Sequence, residues 1–466
     1  MEHVDLLTIG AGGGGYPAAF RLARAGKKAV MIDSKGVMSG NCLEQGCVPS
    51  KTVREAIEVY KLAKQREYFG LKGDNIGFDY SKIIDFKDNV QKFRYAQHAK
   101  ELEEASENLK LIKGTASFVD KHTVKVITED SEIMYHADNI IIASGAEPYI
   151  LPIDGAEHCI TSTDLYILNT KIKTLPRSIA ILGAGYIGVE TATFFGELGV
   201  DVTIIQRSKR ILTAMDERFA LLLQNSLDPK IKLELGTEIK KVEKADVNGG
   251  YNYNVSYMKD GILKTINADL VLMGYGRKPV IPEGTVKIGI DFDARGRIKI
   301  NGAIQTNIPH IYASGDVNGL SMLFHSAERQ SLVCANNIFA GNTPIDYMDF
   351  NAVPTTVFTF PKAAYAGILP AQAEKTGIDI LECSYDFVVD AKAQIYNELN
   401  GEIREFFDAK TLKIIGAWVI GIDAELLIGE LVTAIQNSLD VHTVASLPNQ
   451  HPTSSEGVAK AARKLL

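Results

Sequence analysis

The sequence predicts an α/β protein of about three domains that ends in an α+β domain. Three observations support this fold class. At 466 residues, the chain is too long for a single hydrophobic core. A unit of strand, glycine-rich turn, helix and strand occurs twice with the same internal spacing. After residue 345 the pattern changes to alternating strands, such as 353–358 and 403–407, with helices near 423–438 and 455–465.

The first glycine-rich unit begins at the start of the chain. An apolar strand over 4–9 leads into the turn, a helix follows to about Ala25, and a second strand over 28–32 ends at Asp33. Glycines allow such a turn to be tight, and they let a pyrophosphate approach the N-terminus of the helix. Asp33 stands where a carboxylate can bond a ribose hydroxyl. The unit therefore predicts a bound dinucleotide, held by Gly10, Gly12, Gly15 and Asp33.

The second unit repeats this pattern. A strand over 178–182 leads into the turn, the helix runs to about Leu198, and the next strand over 201–205 ends at Gln206. Gln206 stands at the same offset from its first glycine as Asp33 does. We interpret the repeat as sites for two dinucleotides, one bound tightly and one exchanging. The residues predicted to hold the second are Gly183, Gly185, Gly188, Gln206 and Arg207.

Two further apolar strands end in glycine and are followed by a proline, which marks the exit from a domain. They cover 140–143 and 270–273, and the residues after them that we expect at the cofactors are Ser144, Gly145 and Gly276. The predicted domains are 1–150 and 276–345 for the first nucleotide-binding domain, 151–275 for the second, and 346–466 for the C-terminal domain.

Cys42 and Cys47 follow the first unit closely, with four residues between them. In a regular helix their Cα atoms would be roughly 8.6 Å apart, beyond the roughly 7 Å limit for a disulfide, so pairing requires a distorted segment. Gly46 permits the distortion, and a helix beginning near Cys47 with Lys51 nearby would stabilise a thiolate. We interpret the pair as redox-active. The alternatives are two unrelated core cysteines or half of a metal site, although the spacing is poor for zinc.

The composition restricts the partners. The net charge is −7 without a basic run, which argues against nucleic acid and anionic membranes as partners. The other three cysteines are scattered singly, unlike a secreted disulfide framework. No signal peptide or long apolar span is visible. These observations predict a cytoplasmic enzyme, and we expect no metal.

His451 precedes a helix expected over 455–465, with Ser454 or Ser455 as its N-cap and Glu456 in its first turn. His451 can then face Glu456. A carboxylate that orients an imidazole and stabilises its protonated form suits a base for thiol–disulfide chemistry. A lone histidine is more often structural, so the residues alone leave both interpretations open.

These motifs resemble those of the pyridine nucleotide–disulfide oxidoreductases, the flavoenzymes that include dihydrolipoamide dehydrogenase and glutathione reductase. The resemblance covers essentially the whole chain. It implies that FAD binds the first fingerprint, with Asp316 at its ribityl–phosphate region, and that NAD or NADP binds the second as a co-substrate. It also implies a homodimer formed by the C-terminal domain. The segments that carry it are 10–33, 42–51, 142–148, 183–190, 270–279, 311–316 and 451–456.

The resemblance also implies roles for the catalytic residues. Cys42 matches the thiol that exchanges with the substrate, and Cys47 matches the thiol that contacts the flavin. His451 and Glu456 match a dyad that reaches the cysteines of the partner subunit. The homodimer would therefore share its active sites between subunits.

Three further residues match positions beside the cofactors. Lys51 and Glu190 resemble the ion pair at the reactive face of the flavin. Tyr186 resembles the ring that covers the nicotinamide pocket. Without the resemblance, these would be interpreted as a solvated lysine, a surface acid and a packing aromatic.

The features that separate members of the family disagree. Pro49, Ser50 and Lys51 resemble the dihydrolipoamide dehydrogenase form of the cysteine motif, whereas the doubled serine in 451–456 is more typical of glutathione reductases. Ser39 stands where the motif usually has glycine. The chain is most like dihydrolipoamide dehydrogenase, which oxidises a small dithiol or a lipoyl group on a carrier protein. The alternatives are an NADPH-dependent reductase of another small disulfide, and a flavoprotein that mainly docks to a multienzyme complex.

The preferred coenzyme is also open. NAD-dependent relatives end the second ribose strand with glutamate, and Gln206 removes a charge that would repel a 2′-phosphate. Arg207, with Lys209 and Arg210 close by, could pair with such a phosphate. A solvated basic turn is the alternative, and we lean slightly toward NADPH being accepted.

Overall fold

The computed structural model describes residues 1–38, 40–74, 76–245, 250 and 252–466. Ser39, the leading position of the cysteine motif, lies outside the described residues. No helix in the described part of the chain is long and apolar enough to cross a membrane. The order of elements is the predicted one, two α/β units and an α+β end.

The first sheet has seven strands, of which six come from the start of the chain. These are β1 (Glu2–Ile9), β2 (Ala29–Asp33), β3 (Leu109–Lys113), β4 (Thr115–Phe118), β5 (Thr123–Ile127) and β6 (Glu132–Ile142). Their spatial order is β3-β2-β1-β6-β5-β4, and the pairs among β1, β2, β3 and β6 are parallel. Strand β2 and the C-terminal parts of β1 and β6 are buried and apolar, as expected for a parallel sheet that helices cover. The helices of this region are α1 (Tyr16–Arg24), α2 (Gly40–Gln45), α3 (Cys47–Lys64) and α4 (Tyr80–Glu104).

The chain enters the second α/β unit through a short strand, β7 (Ala146–Pro148), and a short helix, α5 (Ser162–Tyr166). The elements that follow are β8 (Ser178–Leu182), α6 (Tyr186–Glu197), β9 (Asp201–Gln206), α7 (Glu217–Ser226), β10 (Lys232–Leu235), β11 (Thr237–Lys244), β12 (Tyr253–Lys259), β13 (Ile262–Ala268), β14 (Leu270–Met273) and β15 (Arg277–Pro279). The parallel sheet has the order β10-β9-β8-β14, and β11, β12 and β13 form an antiparallel sheet beside it. Strand β15 pairs with β7, so the chain leaves this unit next to the place where it entered.

The chain then returns to the first sheet. Strand β16 (Ile311–Ala313) pairs with β6 in parallel, and α8 (Phe324–Phe339) follows. Ser331 of α8 accepts a hydrogen bond from Ala18 N at 3.0 Å, which fixes α8 against α1. Residues 276–345 were predicted to return to the first nucleotide-binding domain, and the pairing of β16 with β6 agrees with this. The exact domain boundaries stay predictions.

The C-terminal part is α+β, as predicted. Its antiparallel sheet has the order β17-β18-β21-β20-β19. The elements are β17 (Thr355–Val357), β18 (Ala363–Gly367), α9 (Pro370–Thr376), β19 (Ile380–Asp386), α10 (Ala391–Tyr396), β20 (Glu402–Asp408), β21 (Ile414–Ile420), α11 (Ala424–Gln436), α12 (Val441–Ala445) and α13 (Glu456–Ala462).

One hydrophobic core joins the three parts of the molecule. It includes Ile57 of α3, Phe194 of α6, and Phe360 and Trp418 of the C-terminal part. Helix α3 starts at the cysteine pair and α6 starts at the second glycine turn. The core therefore holds the helices that carry both predicted sites against the C-terminal sheet.

Candidate active site

The two glycine turns have the same backbone geometry. Gly10 has a φ of +111° and Gly183 has a φ of +103°, a region that favours glycine. A Cβ atom on Gly10 would lie 2.2 Å from the carbonyl oxygen of Ala143, and one on Gly183 would lie 2.7 Å from that of Gly274. Each turn therefore requires glycine at its first position.

The other fingerprint glycines have two separate functions. A Cβ atom on Gly15 would lie 2.4 Å from Gly10 O, and one on Gly188 would lie 2.1 Å from Gly183 O. These glycines let each helix pack onto its own turn. Gly12 and Gly185 instead have more space, since an added Cβ would make only ordinary van der Waals contacts, with nearest atoms at 3.6 Å and 3.9 Å. Space of this kind at a helix N-terminus suits a phosphate group.

The side chains at the ends of the two ribose strands also have equivalent positions. Asp33 Oδ2 accepts a hydrogen bond from Ala11 N at 3.3 Å, and Gln206 Oε1 accepts one from Ala184 N at 3.3 Å. The geometry is the same, but the charge is not. The first unit presents a carboxylate at this point and the second a neutral amide.

The basic residues after Gln206 differ in availability. Arg210 donates to the carbonyl oxygens of Ile211, Leu212, Thr213 and Met215, so its guanidinium holds its own loop together. Arg207 is exposed. Arg207, and not Arg210, is therefore the arginine that could reach a ribose phosphate.

The remaining residues predicted at the cofactors lie where the strands of the two units end. Ser144 Oγ donates to Val280 O at 2.5 Å, and Gly145 and Gly276 have φ values of +72° and +89°. Asp316 follows β16 in a short helical turn. Burial raises the pKa of Asp316, and the nearby Arg277 opposes this effect.

The cysteine segment is distorted as predicted. Cys42 lies in α2 and Cys47 is the first residue of α3, and the backbone breaks between them at Gly46, with φ −128° and ψ −110°. Both residues are free thiols in this structure, joined by a hydrogen bond. The hydrogen bond from Cys42 lowers the pKa of Cys47 to about 7 against the effect of burial, and Lys51 adds to the lowering. The hydrogen bond and burial raise the pKa of Cys42. The site therefore stabilises a thiolate at Cys47.

Lys51 and Glu190 form an ion pair between the two α/β units. Lys51 Nζ lies 2.8 Å from Glu190 Oε2, and the Glu190 side chain is largely buried. Glu190 Oε1 accepts a hydrogen bond from Phe358 N at 2.9 Å, and Lys51 Nζ lies 4.5 Å from the centre of the Phe358 ring. All three parts of the molecule therefore meet beside Cys47. The sequence did not indicate the part played by Phe358, because its backbone makes the main contact.

Tyr186 begins α6 directly after the second glycine turn. Its hydroxyl lies 3.3 Å from that of Tyr365 in β18. The tyrosine predicted at the nicotinamide pocket is therefore held by the C-terminal part of the chain.

A buried hydrogen-bond network supports α2, the helix that carries Cys42. This network was not predicted from the sequence. Gln91 Nε2 donates to the carbonyl oxygens of Leu43 and Glu44 at 3.0 Å and 2.8 Å, near the end of α2. Lys87 is fully buried, and its Nζ donates to Gln91 Oε1 at 2.8 Å and to Asp88 Oδ1 at 2.6 Å. It also donates to the carbonyl oxygens of Tyr166 and Ile167, at 3.2 Å and 2.9 Å. Through Gln91, Lys87 thereby connects α2 to the end of α5, where the chain enters the second unit.

The C-terminal dyad forms within the chain. His451 Nδ1 lies 2.8 Å from Glu456 Oε1, and Lys460 Nζ lies 3.0 Å from Glu456 Oε2. Burial works to raise the pKa of Glu456, but the hydrogen bonds from Lys460 and His451 outweigh it, so the pKa is lowered. The ionised carboxylate orients the imidazole, whose side chain is 70% exposed. Lys460 lies one helical turn after Glu456. This spacing could have predicted that Lys460 also pairs with Glu456, as a third member beside His451.

The predicted N-cap position of α13 is confirmed, but the side chain at this position does not cap the helix. Ser455 occupies the cap position, but neither serine hydroxyl caps the helix. Ser454 Oγ donates to Asp423 Oδ2 at 3.1 Å, and Ser455 Oγ lies 2.8 Å from Thr453 Oγ1. Both hydroxyls are used by neighbouring side chains, which fix the loop that carries His451.

Comparison with known proteins identifies the family. The profile described as pyridine nucleotide–disulphide oxidoreductase matches residues 4–331, and that of the family's dimerisation domain matches residues 353–462. The chain belongs to this family. It is an FAD-dependent oxidoreductase that uses NAD or NADP, and the dimerisation domain supports the predicted homodimer.

Similar proteins cover the full chain. The dihydrolipoyl dehydrogenase of Geobacillus stearothermophilus is 32% identical over 466 residues, spanning 100% of this chain and 96% of that protein. The dihydrolipoyl dehydrogenase of Bacillus subtilis is 32% identical over 462 residues, spanning 99% and 96%. LpdA of Mycobacterium tuberculosis superposes with a TM-score of 0.89 at 23% identity. The HOCl-induced flavoprotein disulfide reductase RclA of Escherichia coli, in its Cu(II) complex, gives 0.86 at 24%. Each of these two structures covers all of both chains, and the likeness shows the fold.

The first fingerprint of this oxidoreductase fits FAD. Gly12 leaves room for a phosphate, and Asp33 lies at the ribose position. Ser314 Oγ, beside Gly14, is buried without a hydrogen-bond partner among the described residues. A polar ligand would satisfy this hydroxyl. The residues that would hold FAD are Gly10, Gly12, Gly15, Asp33, Ser144, Gly145, Ser314 and Asp316.

Proposed function

We propose that this flavoenzyme oxidises a dithiol of the dihydrolipoamide class, free or as a lipoyl group on a carrier protein. The observation that carries the proposal is the Cys42–Cys47 pair, which lies on either side of the backbone break at Gly46, with Lys51 on the same helix as Cys47 and lowering its pKa. A thiolate at this position is the product of dithiol exchange, so the site is built to stabilise it. The 32% identity to dihydrolipoyl dehydrogenases over the whole chain supports the choice of substrate.

The exchange begins with the two cysteines joined as a disulfide. His451 takes the proton of the first substrate thiol, whose sulfur attacks Cys42 and displaces the Cys47 thiolate. The second substrate thiol then attacks the mixed disulfide, its proton passing to Cys42. The substrate leaves as a disulfide, and the enzyme keeps one thiol, one thiolate and the proton on His451, so atoms and electrons balance.

The surrounding residues hold this product state. Cys42 donates a hydrogen bond to Cys47, and Lys51 provides the neighbouring positive charge. FAD bound at the first fingerprint would accept the electron pair and allow its transfer to the nicotinamide coenzyme. Glu190 keeps Lys51 in place through the 2.8 Å ion pair.

A direct assay tests the substrate. Purified yellow protein receives dihydrolipoamide with NAD⁺ or NADP⁺ in parallel, and formation of reduced coenzyme is followed. We expect rapid reduction of at least one coenzyme. A flavin that NADH or NADPH reduces, combined with no activity in either tube, would refute dihydrolipoamide as the substrate.

We further propose that His451 of one subunit serves the cysteines of the other. His451→Gln should lower dithiol turnover about a hundredfold or more, as for loss of a general base, while flavin reduction by coenzyme continues. His442→Gln, at another exposed histidine, is the matched control.

Hybrid dimers test the sharing of sites. Cys42→Ser and His451→Gln subunits are each inactive alone, and a co-expressed hybrid of the two keeps one intact site if sites are shared. We expect the purified hybrid to recover about half of the normal activity. An inactive hybrid would place both residues of a site in one subunit.

A second candidate is an NADPH-dependent reductase of another small disulfide. The specific observation is the neutral Gln206 beside the exposed Arg207, which removes the charge that would repel a 2′-phosphate. If NADPH reduces the flavin much faster than NADH does, and small disulfides then reoxidise it faster than lipoamide does, this candidate replaces the first.

A further inference from the structure

Four histidines form a stacked row on the first sheet, away from the glycine turn. The ring centres of His3 and His136 are 5.5 Å apart, those of His136 and His122 are 5.4 Å apart, and those of His122 and His310 are 3.9 Å apart. The proposed redox reaction uses none of them. The row contains four of the nine histidines in the chain, and the availability of their nitrogen atoms differs along it.

At one end of the row, His122 and His310 each use a ring nitrogen to pair with a backbone carbonyl oxygen. His122 Nδ1 pairs with Ala137 O at 2.9 Å, and His310 Nε2 pairs with Lys121 O at 3.0 Å. At the outer end, His3 Nε2 pairs with the carboxylate of Asp138 at 2.9 Å. The side chains of His3 and Asp138 are 62% and 49% exposed, so solvent reaches this end.

The outer end brings together three potential metal ligands. In the described part of the chain, His3, His136 and Asp138 are the one group of three such residues whose ligand atoms all lie within 4.8 Å of one another. His3 and His136 are register partners on the parallel strands β1 and β6. Asp138 lies two residues beyond His136 and so projects from the same face of β6. Two paired strands therefore fix the backbone of all three ligands.

We propose that His3, His136 and Asp138 bind a late divalent transition-metal ion, with Zn²⁺ as the representative. Two imidazoles and one carboxylate form a ligand set that suits such ions, whereas Mg²⁺ and Ca²⁺ prefer oxygen ligands alone. Small side-chain rotations bring the three ligand atoms to the usual distances of roughly 2.0–2.2 Å from the ion. Water fills the remaining position, because two of the ligands are exposed.

The proposed site is separate from the reaction. Gly10 follows His3 by seven residues along the first strand and its turn, or about 23 Å at the usual strand rise. The ion would instead tie β1 to β6 at the end of the sheet opposite the dinucleotide. No motif in the sequence indicates the site, because its ligands come from strands that are far apart along the chain.

Metal titration tests the proposal. The FAD-bound protein, without a polyhistidine tag and with Cys42→Ser and Cys47→Ser to remove competing thiols, is titrated with Co²⁺ as a spectroscopic probe and then with Zn²⁺. We expect one ion per chain, with visible Co²⁺ bands that Zn²⁺ abolishes. Asp138→Asn and His136→Ala should each weaken the affinity about tenfold or more. His442→Ala, at an exposed histidine outside the row, should leave it unchanged.

Two results would overturn the proposal. One is the absence of saturable binding at one ion per chain. The other is binding that Asp138→Asn leaves unchanged, because this substitution at an exposed position removes a ligand without disturbing the sheet. Neither result depends on the identity of the redox substrate, so the two proposals fail separately.

Discussion

The two glycine-rich units have the same fold and differ in charge and in enclosure. Their first glycines have φ values of +111° and +103°, and Asp33 and Gln206 accept equivalent hydrogen bonds of 3.3 Å. The backbone therefore positions a dinucleotide in the same way in both units. The side chain at the end of the ribose strand then determines which ribose is preferred.

The enclosure of the two turns differs because residues 314 and 324 pack closely on two further glycines of the first turn. A Cβ atom on Gly14 would lie 2.5 Å from Ser314 O, and one on Gly13 would lie 3.0 Å from the ring of Phe324. The position equivalent to Gly14 in the second unit is Ile187, a full-sized side chain. The first turn is thus enclosed by the strand that returns to its sheet, which suits a tightly held FAD. The second turn is more open, which suits a coenzyme that exchanges.

The largest effect is expected from a substitution that disturbs the close packing around the first glycine turn. Gly14→Ala places a Cβ atom 2.5 Å from the Ser314 carbonyl oxygen, which the backbone cannot easily avoid. Overpacking of this kind costs about 1–3 kcal/mol or more, and it displaces the strand beside FAD. We expect poorly folded or colourless protein, measured by flavin content and melting temperature. Ile187→Ala is the matched control and should keep its flavin. A stable, fully yellow Gly14→Ala protein would contradict the explanation.

The next effect concerns the boundary between the units. Lys87→Met leaves the buried Asp88 without its cation and removes a donor from two carbonyl oxygens of the connection into the second unit. Breaking a buried charge pair costs about 3–5 kcal/mol, so the melting temperature should fall clearly. Lys173→Met removes an exposed, solvent-screened ion pair to Asp85 of α4, so it should change the melting temperature very little. Equal melting temperatures for the two variants would show that the buried network does not stabilise the boundary.

A smaller effect separates the contributions of the two units to the thiolate. Lys51, from the first unit, lowers the pKa of Cys47, and Glu190, from the second, raises it. Lys51→Met should therefore move this pKa above about 7 and decrease the thiolate fraction at neutral pH. Glu190→Gln should move it below about 7 and increase that fraction. The pH dependence of alkylation of the reduced protein measures both, since only the thiolate reacts. Shifts in the same direction would contradict this assignment.

The sequence predicted the parts of the site that follow from local spacing. The glycine turns, the break at Gly46 and the pairing of His451 with Glu456 all depend on residues close together in the chain. The buried partners were not predictable in the same way. Lys87 occurs in a helix with many charged residues, and only the tertiary fold shows that its ammonium is buried among carbonyl oxygens. Burial of Lys87 lowers its pKa, and Asp88 opposes this effect.

The packing around Gly13 and Gly14 was also not predictable from the local sequence. Nothing in the local sequence indicated that Phe324 of α8 packs against Gly13 and that Ser314, directly after β16, packs against Gly14. That packing depends on a strand about 300 residues away, at Ile311–Ala313. Similarly, spacing alone predicted Arg207 as a phosphate ligand and left Arg210 close by. The hydrogen bonds of Arg210 to its own loop distinguish them.

The smallest expected effect tests the difference in charge between the two ribose strands. Gln206→Glu restores a carboxylate at the end of β9 without changing the size of the side chain much. A carboxylate bonds two ribose hydroxyls well and repels a 2′-phosphate, so preference for NADH over NADPH should rise about tenfold, or about 1.4 kcal/mol. Arg207→Ala should change the preference in the same direction by removing the exposed cation. Lys209→Ala, in the same turn, is the control.

The comparison of these three variants with the parent protein decides how the second unit reads its coenzyme. If Gln206→Glu and Arg207→Ala both raise the ratio of kcat/KM for NADH to that for NADPH, charge at the end of β9 sets the preference. If only the first does, the ribose hydroxyls are read and Arg207 is a solvated residue. If neither does, the shared backbone geometry alone binds the coenzyme, and the difference between Asp33 and Gln206 has no consequence for its choice.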